Sequence, residues 1–408
     1  MQAVEYFQKH KGLLDHIIDI GTPVFVTDSS ILRQKIQNIR KAFGSYCLLY
    51  YAIKANFSPH IVKVLKKEGI DGIETVSPYE IQLAQKIGFK NTQILFTGNN
   101  VDTHELDKAK AAGVMLNIGS MSELQYFAGK YKGSEIAIRV NPGFGDGEFK
   151  QVVTGGKESK FGILHTQIKE ALKIINDNNI KLIGIHCHLG SGLYNTDNFA
   201  PMVEYMFNLA SQINGIEFID LGGGLGVRYK PSDIEIDLGK FAKVIKECYK
   251  KYDVLKSNNV RIILEPGKYL VAESTFLLTK ITNVREQQGI KIVGVDTGFN
   301  HIIRPALYSS YHHAINISKL HEKKEVEEVK LVGNICESTD VLNEKIQISK
   351  PEIGDIVAIL TTGAYCSAMS SLYNLRPYAS EVLIYNDEFS ITRRSPSFEE
   401  TINSLGFV

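Results

Sequence analysis

Four short stretches of the 408-residue chain carry side chains of the right type and spacing for chemistry. The first is Tyr50-Tyr-Ala-Ile-Lys54-Ala-Asn56, in which an apolar run delivers one lysine. Lysine is seldom buried without a partner, and partial desolvation turns its amine into a nucleophile. The second is His186-Cys-His188-Leu-Gly-Ser191, where two imidazoles fall on one face of an extended segment. They could stack on a ring, pair on a metal as neutral ligands, or simply pack in a core. The third is Asp220-Leu-Gly222-Gly223-Gly224-Leu-Gly226, a glycine run that lets backbone N–H groups approach a phosphate or merely forms a tight turn. Val227 breaks the spacing of a dinucleotide fingerprint. The fourth is Ile262-Ile-Leu-Glu265-Pro-Gly267-Lys268, where a carboxylate closes an apolar strand and therefore needs a partner.

The elements around these stretches place all four on one rim. From about residue 45 to 267, strand-length apolar runs alternate with segments of helical period. The runs are 47–54, 72–77, 93–98, 114–120, 135–142, 181–188, 218–222 and 261–267. Eight strand-then-helix units predict a parallel (β/α)8 barrel, whose chemistry sits at the C-terminal ends of its strands. In the first run, period-two alternation puts Tyr50, Ala52 and Lys54 on one face, with Lys54 at the inner rim. After about residue 275 the runs 292–295, 330–332, 356–360 and 382–385 have little helical pattern between them, which predicts a second, mainly β domain. Residues 21–27 look like a strand that joins this domain. The expected boundaries are 28–275 for the barrel and 1–27 plus 276–408 for the β-rich domain.

An amine, an imidazole, a glycine loop and a carboxylate at one barrel mouth form a single chemical set. They match what pyridoxal 5'-phosphate needs: an imine-forming group, a ring-stacking partner, a phosphate anchor and a carboxylate opposite the ring nitrogen. A metal-dependent barrel hydrolase is the rival reading for His186 and His188. Such barrels carry the pair on the first strand, whereas here it falls on the sixth, so no metal is expected.

The chain resembles the barrel-type pyridoxal-phosphate-dependent decarboxylases, and within them the branch that acts on meso-2,6-diaminopimelate. In the barrel the resemblance rests on Tyr51-Ala-Ile-Lys-Ala-Asn56, Ser159-Lys-Phe-Gly162, His186-Cys-His-Leu-Gly-Ser191, Gly222-Gly-Gly224 and Glu265-Pro-Gly267. In the second domain it rests on Arg304-Pro-Ala-Leu-Tyr308, Cys336-Glu-Ser-Thr-Asp340, Gly363-Ala-Tyr365 and Tyr373-Asn-Leu-Arg-Pro377. It implies an alanine racemase-like fold and decarboxylation to L-lysine. It also implies that Lys54 carries the cofactor as a Schiff base, that His188 stacks on the ring, and that Ser191, Gly222, Gly223, Gly224 and Gly267 surround the phosphate. Glu265 would face the ring nitrogen and Tyr365 would approach cofactor and substrate. Arg304 and Tyr308 would hold the retained carboxylate, Lys268 would bind substrate as well, and Glu337 would reach the cofactor and substrate of the other subunit. Cys336 would be the proton donor, reaching a site shared across a homodimer.

Two positions depart from the usual pattern. Lys268 stands where an arginine is usual, keeping charge but losing the planar fork. Ser77-Pro-Tyr-Glu80 stands where Ser-Gly-Gly-Glu is common. Relatives acting on ornithine, lysine or arginine lack the Arg-Pro-Ala-Leu-Tyr run, which weighs against that substrate class. A silent, partner-binding relative would have no reason to keep Lys54, His188, Glu265, Cys336 and Glu337 together.

Bulk composition narrows the remaining classes. Lys plus Arg (46) balances Asp plus Glu (45), so nothing points to nucleic acid or an anionic membrane. Five irregularly spaced cysteines make no disulfide framework, and His and Lys interrupt residues 1–19 too early for a secretory signal. A cytoplasmic enzyme is expected.

Overall fold

A computed structural model describes residues 3–320 and 325–407. Residues 1, 2, 321–324 and 408, which the sequence reading assigned to the β-rich domain, lie outside it. The chain divides into two compact units: Arg33–Val227 with Glu235–Tyr269, and Met1–Leu32 with Arg228–Ile234 and Leu270–Val408.

The first unit is a closed barrel of eight parallel strands: Cys47–Ala52, Gly72–Thr75, Ile94–Phe96, Met115–Ile118, Glu135–Asn141, Lys181–His186, Phe218–Asp220 and Arg261–Leu264. Each pairs with its neighbours in chain order, and the eighth closes on the first through Ile262–Cys47, Ile263–Leu48 and Leu264–Leu49. Every predicted strand is present, shortened at its C-terminal end. Tyr50, Leu95, Ala137, Ile183, Phe218 and Ile263 form one buried cluster within the ring. Glycine makes room for the two largest of them. A Cβ on Gly72 would lie 2.6 Å from the Tyr50 ring, and one on Gly184 would lie 2.2 Å from the Phe218 ring.

The outer helices begin where the sequence supplies caps. Ser77, Asp102, Ser120 and Asp237 each accept from a backbone N–H of the first helical turn. The unusual Ser77-Pro-Tyr-Glu80 segment is such a start: Ser77 caps, Pro78 supplies a helix-ready φ, and the Glu80 side chain accepts from Val76 N–H at 2.7 Å.

The second unit is built on a sheet in the order Val341–Ser349, Val326–Val332, Ile290–Val295, Thr275–Gln287, Val24–Asp28, Ser380–Tyr385, Glu388–Arg393. Ile356–Ile359 pairs with both Thr275–Gln287 and Ala314–Asn316. The early strand Val24–Asp28 lies antiparallel to Thr275–Gln287 and parallel to Ser380–Tyr385. Four strands of this unit escaped the sequence reading: Thr275–Gln287, Ala314–Asn316, Val341–Ser349 and Glu388–Arg393. Thr275–Gln287 is buried only in its first half, and Val341–Ser349 alternates exposed Glu, Lys and Gln with buried Leu and Ile, so neither gives an apolar run. The helices Ala3–Lys9 and Lys11–Ile18 cover one face through Tyr6, Phe7, Leu14 and Ile17.

Candidate active site

Lys54 leaves the barrel differently from the period-two expectation. The first strand ends at Ala52, and Ile53–Ala55 form a single 3-10 turn. Tyr51, fully buried, holds that turn by donating its hydroxyl to the Asn56 carbonyl at 2.9 Å. Lys54 Nζ reaches Glu74 Oε2 at 2.7 Å. Glu74 is the penultimate residue of the second strand and is 1% exposed. Burial pushes its carboxyl up to about 7, against the pull of Lys54. Sequence reading missed Glu74, although an acid closing Gly72-Ile-Glu74-Thr75 gives the same signal as Glu265.

Across the mouth, the ends of strands six, seven and eight bring His186, Asp220 and Glu265 together, all buried. Glu265 Oε2 lies 3.2 Å from His186 Nε2. A carboxylate only accepts, so Nε2 carries the proton, and burial keeps the ring neutral by lowering its basicity. Burial works against the Glu265 charge too, but the His186 hydrogen bond and the Lys54 charge outweigh it and hold the carboxyl below the usual range. Asp220 goes the other way: burial, then the nearby Glu265 charge, raise it far above its usual 3.8. Two adjacent carboxyls thus adopt opposite states, one ionised and one protonated. Arg139 of strand five is buried, with its guanidinium 4.5 Å from the centre of the Phe161 ring.

That split has a pH consequence. The folded chain keeps the Asp220 proton, whereas the unfolded chain releases it near pH 3.8. The resulting stability is complete below 3.8 and is lost as pH climbs through the raised value. Asp220→Asn preserves the acceptor for Gly222 N–H, 2.8 Å away, and never ionises. Its melting temperature relative to the parent protein is expected to rise steadily between acid and alkaline buffers. A difference that shrinks with pH refutes the assignment.

His188 sits just past strand six, in contact with the glycine loop. Burial, with the charges of Arg139 and Lys54, lowers it well below the usual histidine value. Its Nδ1 accepts from Gly223 N–H at 3.2 Å. The group His186, Asp220 and Glu265 could geometrically hold a cation, but it does not include His188. A neutral Asp220 is also a poor ligand. The glycines allow close approach: a Cβ on Gly223 would stand 2.1 Å from the Glu265 carbonyl oxygen, and one on Gly224 would stand 2.3 Å from that of Gly190. Gly192 and Leu193 N–H both donate to the Gly224 carbonyl, tying the Ser191 segment to this loop. Gly267 packs against Ala52 and Ala55, where a side chain would be only 3.1 Å from either Cβ.

These residues fit pyridoxal phosphate on one decisive point. Glu265 Oε1 is buried, and among the described residues it is met by no donor beyond the neighbouring protonated Asp220 carboxyl, which hydrogen-bonds to Glu265. A protonated ring nitrogen would offer this ionised oxygen a charged donor, which binds a carboxylate more strongly than a neutral one.

Lys268 is buried beside Gly267, with Nζ 3.1 Å from Glu148 Oε2. Glu148 belongs to a loop fastened by its own N–H to the Ser191 carbonyl at 2.7 Å. The lysine found in place of the usual arginine therefore has a carboxylate partner within the barrel.

The second unit holds the remaining predicted residues. Arg304 opens the short helix Arg304–Tyr308 and is 2% exposed, and Tyr308 at its end is half-buried. Cys336 and Glu337 are exposed on a turn pinned by Asp340, whose carboxylate accepts from Phe299 N–H and Ile335 N–H. The Cys336 N–H donates to the Asn374 side chain at 2.7 Å, which joins this turn to the Tyr373–Leu375 segment. Tyr365 adopts φ +57, a left-handed conformation that aromatic residues seldom take, next to the tightly packed Gly363.

A (β/α)8 barrel with a lysine and a glycine loop at its mouth, carried with a mainly β unit, defines a class of cofactor-dependent enzyme. The model for "pyridoxal-dependent decarboxylase, pyridoxal binding domain" matches residues 29–272. Diaminopimelate decarboxylase of Methanothermobacter thermautotrophicus is 36% identical over 394 residues, covering 94% of this chain and 91% of that protein. The Aquifex aeolicus enzyme is 36% identical over 408 residues, covering 97% and 94%. The crystal structure of diaminopimelate decarboxylase from Helicobacter pylori complexed with L-lysine superposes with a TM-score of 0.86 at 29% identity, covering 95% of this chain and 98% of that one. The chain belongs to the pyridoxal-dependent decarboxylase family, among the diaminopimelate decarboxylases, and has their alanine racemase-like fold.

Proposed function

We propose that the protein converts meso-2,6-diaminopimelate to L-lysine and carbon dioxide with pyridoxal 5'-phosphate held at the barrel mouth. The observation that carries this reading is Glu265: a buried carboxylate held ionised beside a protonated Asp220, at the same rim as Lys54. Three of the relatives and neighbours described above bear the name diaminopimelate decarboxylase, and one holds L-lysine, the product expected here.

Bound pyridoxal phosphate supplies the sink for the electron pair that remains when carbon dioxide leaves. The chain's own residues do the rest. Lys54 must lose a proton before its amine can attack, and Glu74 Oε2, 2.7 Å from Nζ, receives it. A carboxyl raised to about 7 can take that proton and return it at neutral pH. Glu265 would support the protonated ring nitrogen, and His186 keeps Glu265 ionised. His188, with its tautomer set by Gly223 N–H, would stack on the ring. Ser191 and Gly222 to Gly224 would hold the phosphate, with Gly267 beside the cofactor.

Tyr365 would approach the cofactor and substrate. Arg304 and Tyr308 bind the carboxylate that is retained, while Lys268 and Glu337 meet the substrate's other polar groups. Cys336 donates the Sγ proton that replaces the lost carboxyl group. It does so from a second copy of the chain, in a homodimer. We place this enzyme in the cytoplasm: its five cysteines are free, and no described helix is long and apolar enough to cross a membrane.

The test is product formation by the purified protein with pyridoxal phosphate on meso-diaminopimelate, ornithine, lysine and arginine, each supplied separately. Lysine from diaminopimelate, with turnover of the other three at least about a hundredfold slower, is expected, because a site built for a carboxylate leaves its guanidinium unpaired on a substrate without one. Preferential turnover of ornithine, lysine or arginine overturns the substrate assignment.

A further inference from the structure

Arg304 is held by two aromatic neighbours that neither the motif nor the proposed reaction explains. Its guanidinium carbon stands 4.4 Å from the centre of the Tyr229 ring, so the ring carries the flat face of the cation. Its Nη1 lies 3.1 Å from His312 Nε2. The two rings meet edge to face at 5.3 Å, and all three side chains are at most 5% exposed. Tyr229 comes from Arg228–Ile234, a segment that follows barrel strand seven in sequence and clusters with the second unit.

The direction of each hydrogen bond follows from donor and acceptor chemistry. A guanidinium has only donors, so His312 Nε2 must accept. The ring's proton is then on Nδ1, which lies 3.0 Å from the Leu360 carbonyl and donates to it. One peptide carbonyl thereby fixes the tautomer that points a lone pair at Arg304. A carboxylate in this place would orient the guanidinium equally well but would cancel its charge. A neutral imidazole turns the fork without neutralising it, and a planar fork held in one orientation is what bidentate recognition of a carboxylate requires.

We propose that His312 is a positioning residue for substrate selection: its Nε2 aims the Arg304 guanidinium at the retained carboxylate. This rests on Arg304 binding that carboxylate, as given under Proposed function.

The test compares His312→Gln with His312→Asn in the holoenzyme. A glutamine oxygen reaches the Nε2 position and can still accept from Arg304. Asparagine reaches only the Nδ1 position and keeps at most the bond to Leu360. The readout is competitive inhibition by L-lysine, which has the carboxylate, against 1,5-diaminopentane, which does not.

His312→Asn is expected to weaken L-lysine by about tenfold to a hundredfold, as befits a hydrogen bond to a charged group. KM for diaminopimelate should rise by the same factor, with kcat and 1,5-diaminopentane inhibition held within about threefold. His312→Gln should stay within about threefold of the parent protein in all four quantities. The proposal is overturned if both inhibitors weaken equally in His312→Asn, if neither does, or if glutamine performs no better than asparagine. Arg304→Met separates the two layers. If it leaves the preference for L-lysine intact, the carboxylate role of Arg304 fails; if it abolishes that preference while His312→Asn does not, only the His312 role fails.

Discussion

Lys54→Ala is expected to lower the rate of lysine formation by about a thousandfold or more, while the protein folds and still takes up pyridoxal phosphate. The reasons are specific to this barrel. Lys54 extends from a 3-10 turn that is fixed independently by the Tyr51 hydroxyl, and its side chain is 39% exposed, so the truncation removes little packing. The oxygen of Glu265 that awaits a ring nitrogen, the His188 ring and the glycine loop are untouched. Cofactor therefore remains bound but unlinked. Two measurements check this: turnover, and borohydride reduction followed by mass analysis of the intact chain. The parent protein should gain the reduced cofactor on Lys54, and the variant should gain none. Activity within tenfold of the parent, or a cofactor trapped on another lysine, contradicts the role given to Lys54.

How far this site could be read from the sequence depends on what each residue does. Strands of the barrel are buried on both faces, so their sequences are near-continuous apolar runs, and all eight were visible. The rim residues stood out because each ends such a run. Lys54, His188 and Glu265 were legible for that reason, and the same logic would have found Glu74 had it been applied to the second strand.

Strand phase put Lys54 at the rim but could not show the turn that carries it, because alternation says nothing about where a strand stops, and here the chain turns after Ala52. In the second unit, Thr275–Gln287 and Val341–Ser349 are half-exposed and hide their strand character behind polar residues. Relations between distant residues were illegible altogether. The Lys268–Glu148 pair joins positions 120 residues apart, and the brace of Arg304 by Tyr229 and His312 depends on a barrel loop joining the β-rich unit. No local pattern encodes a pairing of that kind. It is set by which loops the fold brings together.

The distribution of residues between the two units leads to the second large effect. Lys54, His188 and Glu265 belong to the barrel unit, while Cys336, Glu337 and Arg304 belong to the β-rich unit. If Cys336 serves the Lys54 of another copy, two inactive variants must rescue one another. In a mixed dimer of Lys54→Ala and Cys336→Ala chains, one site carries both defects and the other carries neither. Random pairing makes half the dimers mixed, each with one intact site, so activity should return to roughly a quarter of the parent level. Each variant alone is expected to fall by about a hundredfold or more, the lower end of what a proton donor contributes.

Cys336 suits this experiment because its side chain is exposed in the single chain, so its truncation leaves no cavity. Co-expression with two different tags, followed by sequential purification, isolates the mixed dimer directly; half the parent activity per dimer is then expected. If each chain completes its own site, the mixed dimer has two damaged sites and does no better than the average of its parents. That outcome would leave the chemistry assigned to Lys54 standing and would remove the shared site from the proposal.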